Sequence, residues 1–588
     1  RNYCIMHHDK RINVENVCEM CCMLSTSVNI TSQMAVLEAN TRIVASGLPN
    51  HEGCKIPVDT MMNVNYLEAV LGEYQDREII RYIKYGWPID HDGRETNTTP
   101  PRNHSSATSY PKDILGYLKK ELMYGAVVGP FKHNPLTEKV ALSPLSTREK
   151  KDSLERRVIV DMSFPEGKAV NEGIDKNSYQ GESVCLTYPT IDKMVELMIR
   201  KGKGGKLFKR DLKRAFRQFK VDPGDIGLLG YVWDDHYFFD TVLAMGCRSA
   251  PYICQRIANM IRYLYQQEGE DYDCVNMLDD YGGYEELERA EDAYAALGHV
   301  MDKVGVEQSH NKNCPPCFQM IFLGVLLCAI TMTMQVTGER LAELTTLLKE
   351  WLKKSSYSRK DLESLVGKLN FVCACVRSSR VFMARFLNEL RQTPRHGTVK
   401  VSDEMCKDVR WWLEFLVIYN GVSVISGQPW SAPDELLSCD ACLQGCGAWS
   451  QGEYFHRAFP TAIQKQGLHI NALELLTLVV SVRLWRKKLQ GKRFVVWCDN
   501  MATVTVVTSG RSRDSFMQSC LRELVWWLAL MEAEIRVQHI ATTENRIADV
   551  LSRWDIEMDA KSKFVELVGP DSVELGVADE MFEFVHDW

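Results

Sequence analysis

Short apolar runs that end on an acid constrain most strongly what this chain can fold into. Leu207-Phe208-Lys209-Arg210 runs into Asp211, and Val275-Asn276-Met277-Leu278 runs into Asp279-Asp280, followed by Tyr281-Gly282-Gly283. Far downstream, Leu436 to Cys439 runs into Asp440, and Phe494-Val495-Val496-Trp497-Cys498 into Asp499. Runs of this length and composition read as buried strands. A carboxylate at the end of such a strand must reach water or a cation, because an unpaired charge is costly in apolar surroundings. The chain is therefore expected to build sheets whose strand ends gather acids. Taken singly, each acid is as well explained by an exposed charge or a helix cap, and acidic pairs in turns are common.

At 588 residues the chain exceeds what one core organises, so three or more domains are expected. It is 45% hydrophobic and 25% charged, an ordinary globular composition. No apolar run reaches bilayer length, and Met320 to Met334, interrupted by Gly324 and threonines, reads as buried strands. No signal peptide is read, and a first residue Arg1 is expected of a fragment or processed piece. The 20 cysteines have no framework spacing, which predicts reduced thiols in an intracellular setting, cytoplasmic or nuclear. A net charge of −7 argues against nucleic-acid binding only as a sum. Cations cluster at Arg148, Lys150, Lys151, Arg156 and Arg157, and from Arg200 to Arg214, while acids dominate after Asp555. Any one cluster is most simply a solvated face.

Along the chain, residues 1–105 form an unassigned region in which Asn97 to Ser109, rich in Thr, Pro, Ser and Asn, reads as a linker. Cys4, His7, Cys18 and Cys21 have spacing open to a Zn²⁺ knuckle. Residues 106–330 mix helices with strands, including Val158-Ile159-Val160, Val232 to Phe239 and Ile321 to Leu327, as an α+β domain does. Residues 331–432 read as a helical region, helical by periodicity from Leu341 to about Leu416 with turn residues from Gly421 to Pro433; 433–556 form a new α/β unit, and 557–588 read as an acidic tail or linker.

On these residues the chain resembles the reverse transcriptases of retroelements. Asp211-Leu212-Lys213-Arg214-Ala215-Phe216 looks like their first catalytic motif. Val242-Leu243-Ala244-Met245-Gly246-Cys247-Arg248-Ser249-Ala250-Pro251, with Gln255, resembles their template and nucleotide motif, and Leu278-Asp279-Asp280 falls where their catalytic pair belongs. Gly305, Lys312 and Phe322-Leu323-Gly324-Val325 follow in family order, and Arg156-Arg157-Val158-Ile159-Val160-Asp161 resembles the fingers strand. The resemblance implies a multidomain α+β and α/β fold, a right-hand polymerase of fingers, palm and thumb followed by a ribonuclease H-like domain. It implies that Asp211, Asp279 and Asp280 hold two Mg²⁺, with Mn²⁺ as a substitute. Phe216 would then stack under the deoxynucleotide sugar, unless it is a core aromatic. Arg157 and one of Lys150 or Lys151 would hold the triphosphate, and Leu212, Met245, Gly246 and Gln255 would face nucleotide or template. Lys312 would protonate pyrophosphate or be a solvated lysine. Where many relatives carry an aromatic two places before the pair, this chain has Met277.

Asp440, Glu474 on Asn471-Ala472-Leu473-Glu474-Leu475-Leu476, Asp499, and Asp549 in Asn545-Arg546-Ile547-Ala548-Asp549-Val550-Leu551-Ser552-Arg553 together resemble the ribonuclease H family. The implied chemistry is two-Mg²⁺ hydrolysis of RNA paired with DNA, with His539 as a proton shuttle or a surface histidine. Glu121 to Phe131, Arg157 to Pro165 and Val170-Asn171-Glu172-Gly173-Ile174 look most like the DIRS/Ngaro retrotransposons, with gypsy-type elements as the near alternative. No aspartic protease, integrase or recombinase signature is read. Implied partners are an RNA template, a DNA primer, deoxynucleoside triphosphates and RNA–DNA hybrid, with no membrane. Lys353, Lys354, Arg359, Lys360, Lys368, Arg377 and Arg380 are expected to grip the hybrid by its phosphates. A domesticated, non-catalytic nucleic-acid binder is the competing reading.

Overall fold

A computed structural model describes residues 24, 29–47, 56–138, 140–150, 155–419, 421–425, 430 and 437–588. The amino-terminal zinc candidates and Lys151 lie outside the described residues. The chain divides into two compact units, Arg1–Phe318 and Gln319–Trp588. The strands after Gln319 therefore leave the first unit, whose end was expected near residue 330. Among the described residues no helix is long and apolar enough to cross a membrane.

The first unit is built on a four-stranded antiparallel sheet: β1 (Lys206–Asp211), β2 (Cys274–Met277), β3 (Asp280–Glu285) and β4 (Cys314–Cys317), in the order β4-β1-β3-β2. Helices Ile191–Lys201, Ala250–Gln266 and Ala290–Val304 lay apolar faces on it, and Phe208, Tyr281, Ile257 and Leu297 meet in one core. The same core takes in Leu67, Ile79, Ile83 and Trp87. The described part of residues 1–105 is thus part of this unit, not a separate region. The expected linker is ordered as well. Asn97 Nδ2 donates to the Leu142 carbonyl at 3.0 Å, Leu145 N–H donates to Asn103 Oδ1 at 2.7 Å, and Ser105–Thr108 is helical. Its polar side chains brace neighbouring backbone, which composition alone reads as solvation.

Two readings of single strands become hairpins. Gly230–Trp233 and His236–Asp240 fold back at Asp234-Asp235, with φ of 48° and 57°. Gln319–Phe322 and Val325–Cys328 fold back at Leu323-Gly324, with φ of 47° and 82°. Positive φ at both loop residues is what tight antiparallel turns require.

In the second unit, Thr333–Val336 and Val422–Val424 extend the latter hairpin to a four-stranded sheet beside helices Gly338–Trp351, Arg359–Cys375, Ala384–Gln392 and Asp403–Ile418. A six-stranded sheet follows: β5 (Leu437–Ala441), β6 (Gly445–Ser450), β7 (Glu453–Ala458), β8 (Arg493–Cys498), β9 (Glu534–His539) and β10 (Val573–Glu574), in the order β9-β8-β5-β6-β7-β10. β5, β6 and β7 are antiparallel neighbours, whereas β8 runs parallel to both β5 and β9. Helix Ile470–Leu484 is buried on every side from Ala472 to Val482, as its nearly uninterrupted apolar sequence requires.

The expected acidic tail is part of this fold. β10 pairs in parallel with β7, and Phe564 of helix Ala560–Val568 packs on Tyr454 with ring centroids 4.4 Å apart. At the end, Val585 N–H and the Trp588 indole N–H both donate to Glu523 Oε2, at 3.0 and 2.9 Å. Glu523 is fully buried, so these donors, with the Trp527 indole on Oε1 at 2.7 Å and Arg483 3.8 Å from Oε1, satisfy its carboxylate. The apolar residues Phe564, Phe582 and Trp588, not the net charge, decide the fate of the segment. Of the helical cations expected to grip nucleic acid, Arg359 bonds Glu363 and the Leu390 carbonyl, and Lys368 pairs with Glu343.

Candidate catalytic carboxylate sites

Asp211 is the last residue of β1 and Asp280 the first of β3, and the two are direct cross-strand partners. Side chains opposite each other on an antiparallel pair share a face. Between β2 and β3, Leu278-Asp279 forms a two-residue turn in which Leu278 takes φ 55°, a strained value for a residue with a Cβ. The strain is held by Gln255, 6% exposed, whose Oε1 accepts the Leu278 N–H at 3.0 Å. Its Nε2 donates to the Asn276 carbonyl at 3.1 Å and to Asn259 Oδ1 at 2.9 Å. Gln255, expected to face nucleotide, thus spends its amide on the turn.

The rest of the frame is equally occupied. Leu212 N–H donates to the Asp279 carbonyl at 2.9 Å, Ser309 N–H to the Asp211 carbonyl at 2.7 Å, and Asp211 N–H to Asn313 Oδ1 at 3.0 Å. The carboxylates remain for chemistry. Lys312 Nζ lies 3.1 Å from Asp211 Oδ1, and Lys209 Nζ 2.9 Å from Asp280 Oδ1. Burial, and after it the hydrogen bond with Asp280, push Asp211 up to about 6. Burial and the Asp280 charge also raise Asp279. Three acids crowded against two lysines are a donor set that suits divalent cations. Among the described residues, the three do not all come within 4.8 Å of one another.

Phe216 is half-buried against the core, on the short 3₁₀ helix Ala215–Gln218 that follows β1. The next residue anchors that helix: Arg217 donates to Glu121 Oε2 at 2.9 Å and to Asp240 Oδ1 at 3.0 Å, all three side chains being buried. Leu212 is buried, so only its backbone serves the site, while Met245 is half-exposed. Gly246 is needed for a protein contact. A Cβ there would lie 2.4 Å from the Val160 carbonyl oxygen, and the Gly246 carbonyl accepts from Asn171 Nδ2 at 2.8 Å. The strand Arg156–Val160 thus makes one close approach to Gly246. On that strand Arg156 stacks 3.8 Å over Tyr110 and donates to Thr147 Oγ1 at 2.8 Å. Arg157 is exposed and directly opposite exposed Arg148 on strand Leu145–Glu149. Like charges in this position repel unless an anion joins them.

In the second unit, Asp440 lies on β5 and Asp499 immediately after β8, its parallel neighbour. Glu474 enters from the buried helix, and Asp549 from helix Arg546–Ser552, which packs so closely on β6 that a Cβ at Gly447 would lie 2.4 Å from Leu551 Cβ. Ser552 Oγ donates to Asp440 Oδ2 at 2.5 Å, and Asn545 Nδ2 donates to both Asp499 Oδ1 and the Cys439 carbonyl at 3.3 Å. Asp549 pairs with Arg553 at 2.9 Å. Glu474, Cys498 and Asp499 each bring a donor atom within 4.8 Å of the others, and Glu474 Oε2 is buried without a hydrogen-bond partner. Burial first, then neighbouring acids, drives Asp440 up to about 7 and Glu474 up to about 11. A buried orphan oxygen among crowded carboxylates calls for a cation, so this donor set also fits divalent metal. Sequence reasoning missed Cys498 and the orienting roles of Ser552 and Asn545, although all three stand within the segments that carry the acids. His539 is exposed at the end of β9 and is the strand partner of Cys498. Among the described contacts, none ties it to the four acids.

No family model matches the chain, and no curated protein sequence matches it. Among solved structures, the dRH form of the foamy viral protease-reverse transcriptase in complex with double-stranded DNA aligns with TM-score 0.46 and 14% identity over 84% of this chain and 84% of that one. The foamy viral protease-reverse transcriptase in complex with RNA/DNA hybrid gives 0.44 and 14%, over 84% of this chain and 64% of that one. The same viral protein with double-stranded DNA gives 0.42 and 13%, over 84% and 99%.

Proposed function

We propose that this chain is a retroelement RNA-directed DNA polymerase with ribonuclease H activity, of the DIRS/Ngaro kind. One observation carries the reading: a single chain holds two carboxylate clusters on two separate sheets. In one, Asp211 faces Asp280 with Asp279 in the adjoining turn; in the other, Asp440 on β5 and Asp499 just after its parallel neighbour β8 stand beside Glu474. Substrates would be an RNA template, a DNA primer, deoxynucleoside triphosphates and the RNA–DNA hybrid. Mg²⁺, with Mn²⁺ as a substitute, would be held by Asp211, Asp279 and Asp280 and by Asp440, Glu474, Asp499 and Asp549, and would supply charge to attacking and leaving oxygens.

The chain's own residues do the positioning. Gln255 fixes the turn so that Asp279 and Asp280 need not reorganise on substrate arrival. Phe216, held by the Arg217 anchor, offers a ring for the sugar to stack on. Arg157, with Arg148 opposite, offers two guanidinium groups to a triphosphate. Lys312, 3.1 Å from Asp211 Oδ1, would hand a proton to the leaving pyrophosphate. At the second site Ser552 and Asn545 orient Asp440 and Asp499. The test is primer extension on an RNA template with Mg²⁺ and deoxynucleotides, alongside cleavage of a labelled hybrid. Both activities are expected from the wild-type chain, and the absence of both would leave a non-catalytic binder.

A further inference from the structure

The outer strand of the first sheet, β4, has the sequence Cys314-Pro315-Pro316-Cys317, and neither carboxylate cluster uses it. Cys314 stands opposite Lys209 and Cys317 opposite Leu207, with a register shift between them. Three steps along β4 therefore match two along β1, the signature of a bulge. In a regular strand, residues three apart point to opposite faces. The bulge absorbs the odd step and turns both thiols to one face, where their sulfurs lie 3.5 Å apart. Both are half-buried, so a small reagent can reach them. The neighbouring-strand cysteines Cys439 and Cys498 are fully buried and lack that access.

We propose that Cys314 and Cys317 form a reversible dithiol–disulfide site oxidised by low-molecular-weight disulfides such as glutathione disulfide. One thiolate attacks the reagent's sulfur, forms a mixed disulfide and expels one thiolate. The second cysteine then attacks the bound protein sulfur and expels the other. The chain loses two electrons and two protons, and the reagent gains them as two thiols. Bond formation draws the sulfurs from 3.5 Å to about 2.05 Å. The strand that must give is continuous with Asn313, which accepts the Asp211 N–H, and with Lys312, which sits on the Asp211 carboxylate. Oxidation therefore disturbs Asp211. That consequence rests on the polymerase reading, whereas the oxidation site itself does not.

The test equilibrates the full chain in graded glutathione buffers, traps thiols by alkylation and maps peptides by mass spectrometry. The expected result is a Cys314–Cys317 bridge, two hydrogens lighter, that forms before any bridge among the buried cysteines and reopens with dithiothreitol. Primer extension is expected to fall roughly tenfold or more with the bridge and recover on reduction. Cys314→Ser should keep basal extension and lose the response. The proposal is overturned if both cysteines stay alkylatable at every ratio, if they end as separate mixed disulfides, or if bound zinc protects them. A mapped bridge with no extension even in reduced protein would sustain the oxidation site and refute the polymerase reading. A bridge with an unchanged oxidant response in Cys314→Ser would overturn the coupling to Asp211.

Discussion

Replacing Gln255 with Ala removes a buried side chain that makes two hydrogen bonds to the hairpin backbone at Asn276 and Leu278 and a third to Asn259 on its own helix. The change strands the Leu278 N–H and the Asn276 carbonyl, at about 1–3 kcal/mol each. It also releases the restraint that keeps Leu278 at φ 55°, so the turn relaxes and carries Asp279 and Asp280 with it. A displacement of about 1 Å at reacting groups costs on the order of 10²-fold in rate. In steady-state primer extension the loss should fall on kcat, with KM for deoxynucleotide little changed, because Gln255 acts on the acids and not on the substrate. Hybrid cleavage by the same preparation should stay at the wild-type rate and serves as the folding control. Gln255→Glu retains an acceptor for Leu278 but loses the donor to Asn276, so an intermediate loss is expected. A rise in KM at unchanged kcat would refute the positioning role and return Gln255 to nucleotide contact. Equal loss of both activities would show that the variant simply unfolds.

Other expectations follow from the same geometry. Gly246→Ala puts a methyl 2.4 Å from the Val160 carbonyl and should destabilise the first unit by about 1–3 kcal/mol, read as a lower thermal transition. Arg157→Ala should raise KM for deoxynucleotide far more than it lowers kcat, and adding Arg148→Ala should raise it further; an unchanged KM would remove the hairpin from triphosphate binding. Asp440 is held at about 7 and Glu474 at about 11, so both carry protons under conditions where ordinary carboxylates do not. Mg²⁺ bound there as proposed would have to displace these protons, so its affinity at the second site should weaken as pH falls through about 7. Calorimetric titrations in buffers of different ionisation enthalpy should show proton release on binding, and none would contradict the crowded-acid account.

The strands that bear acids are legible in the sequence because an apolar run must be buried while the Asp at its end must still reach water or a cation. The hairpin at Asp234-Asp235 is not, since its turn lacks the glycine that normally announces positive φ. Asn97 to Ser109 reads as a linker by composition, yet Asn97 and Asn103 spend their amides on distant backbone, a contact visible only in three dimensions. The carboxyl-terminal segment misleads through its net charge, because a few aromatics and two donors to Glu523 outweigh many solvated acids. Gln255 and Gly246 stand out in the sequence as important positions, but their contacts with Leu278 and Val160 are visible only in the structure. Nothing in a one-dimensional pattern distinguishes a residue that touches a ligand from one that holds its neighbour.

Separation of the two activities by single substitutions tests the account most directly. Asp279→Asn should abolish primer extension and leave hybrid cleavage intact, and Asp499→Asn should abolish cleavage and leave extension intact. If either substitution removed both activities from a folded chain, or neither substitution removed one, two independent carboxylate sites would not be the basis of function.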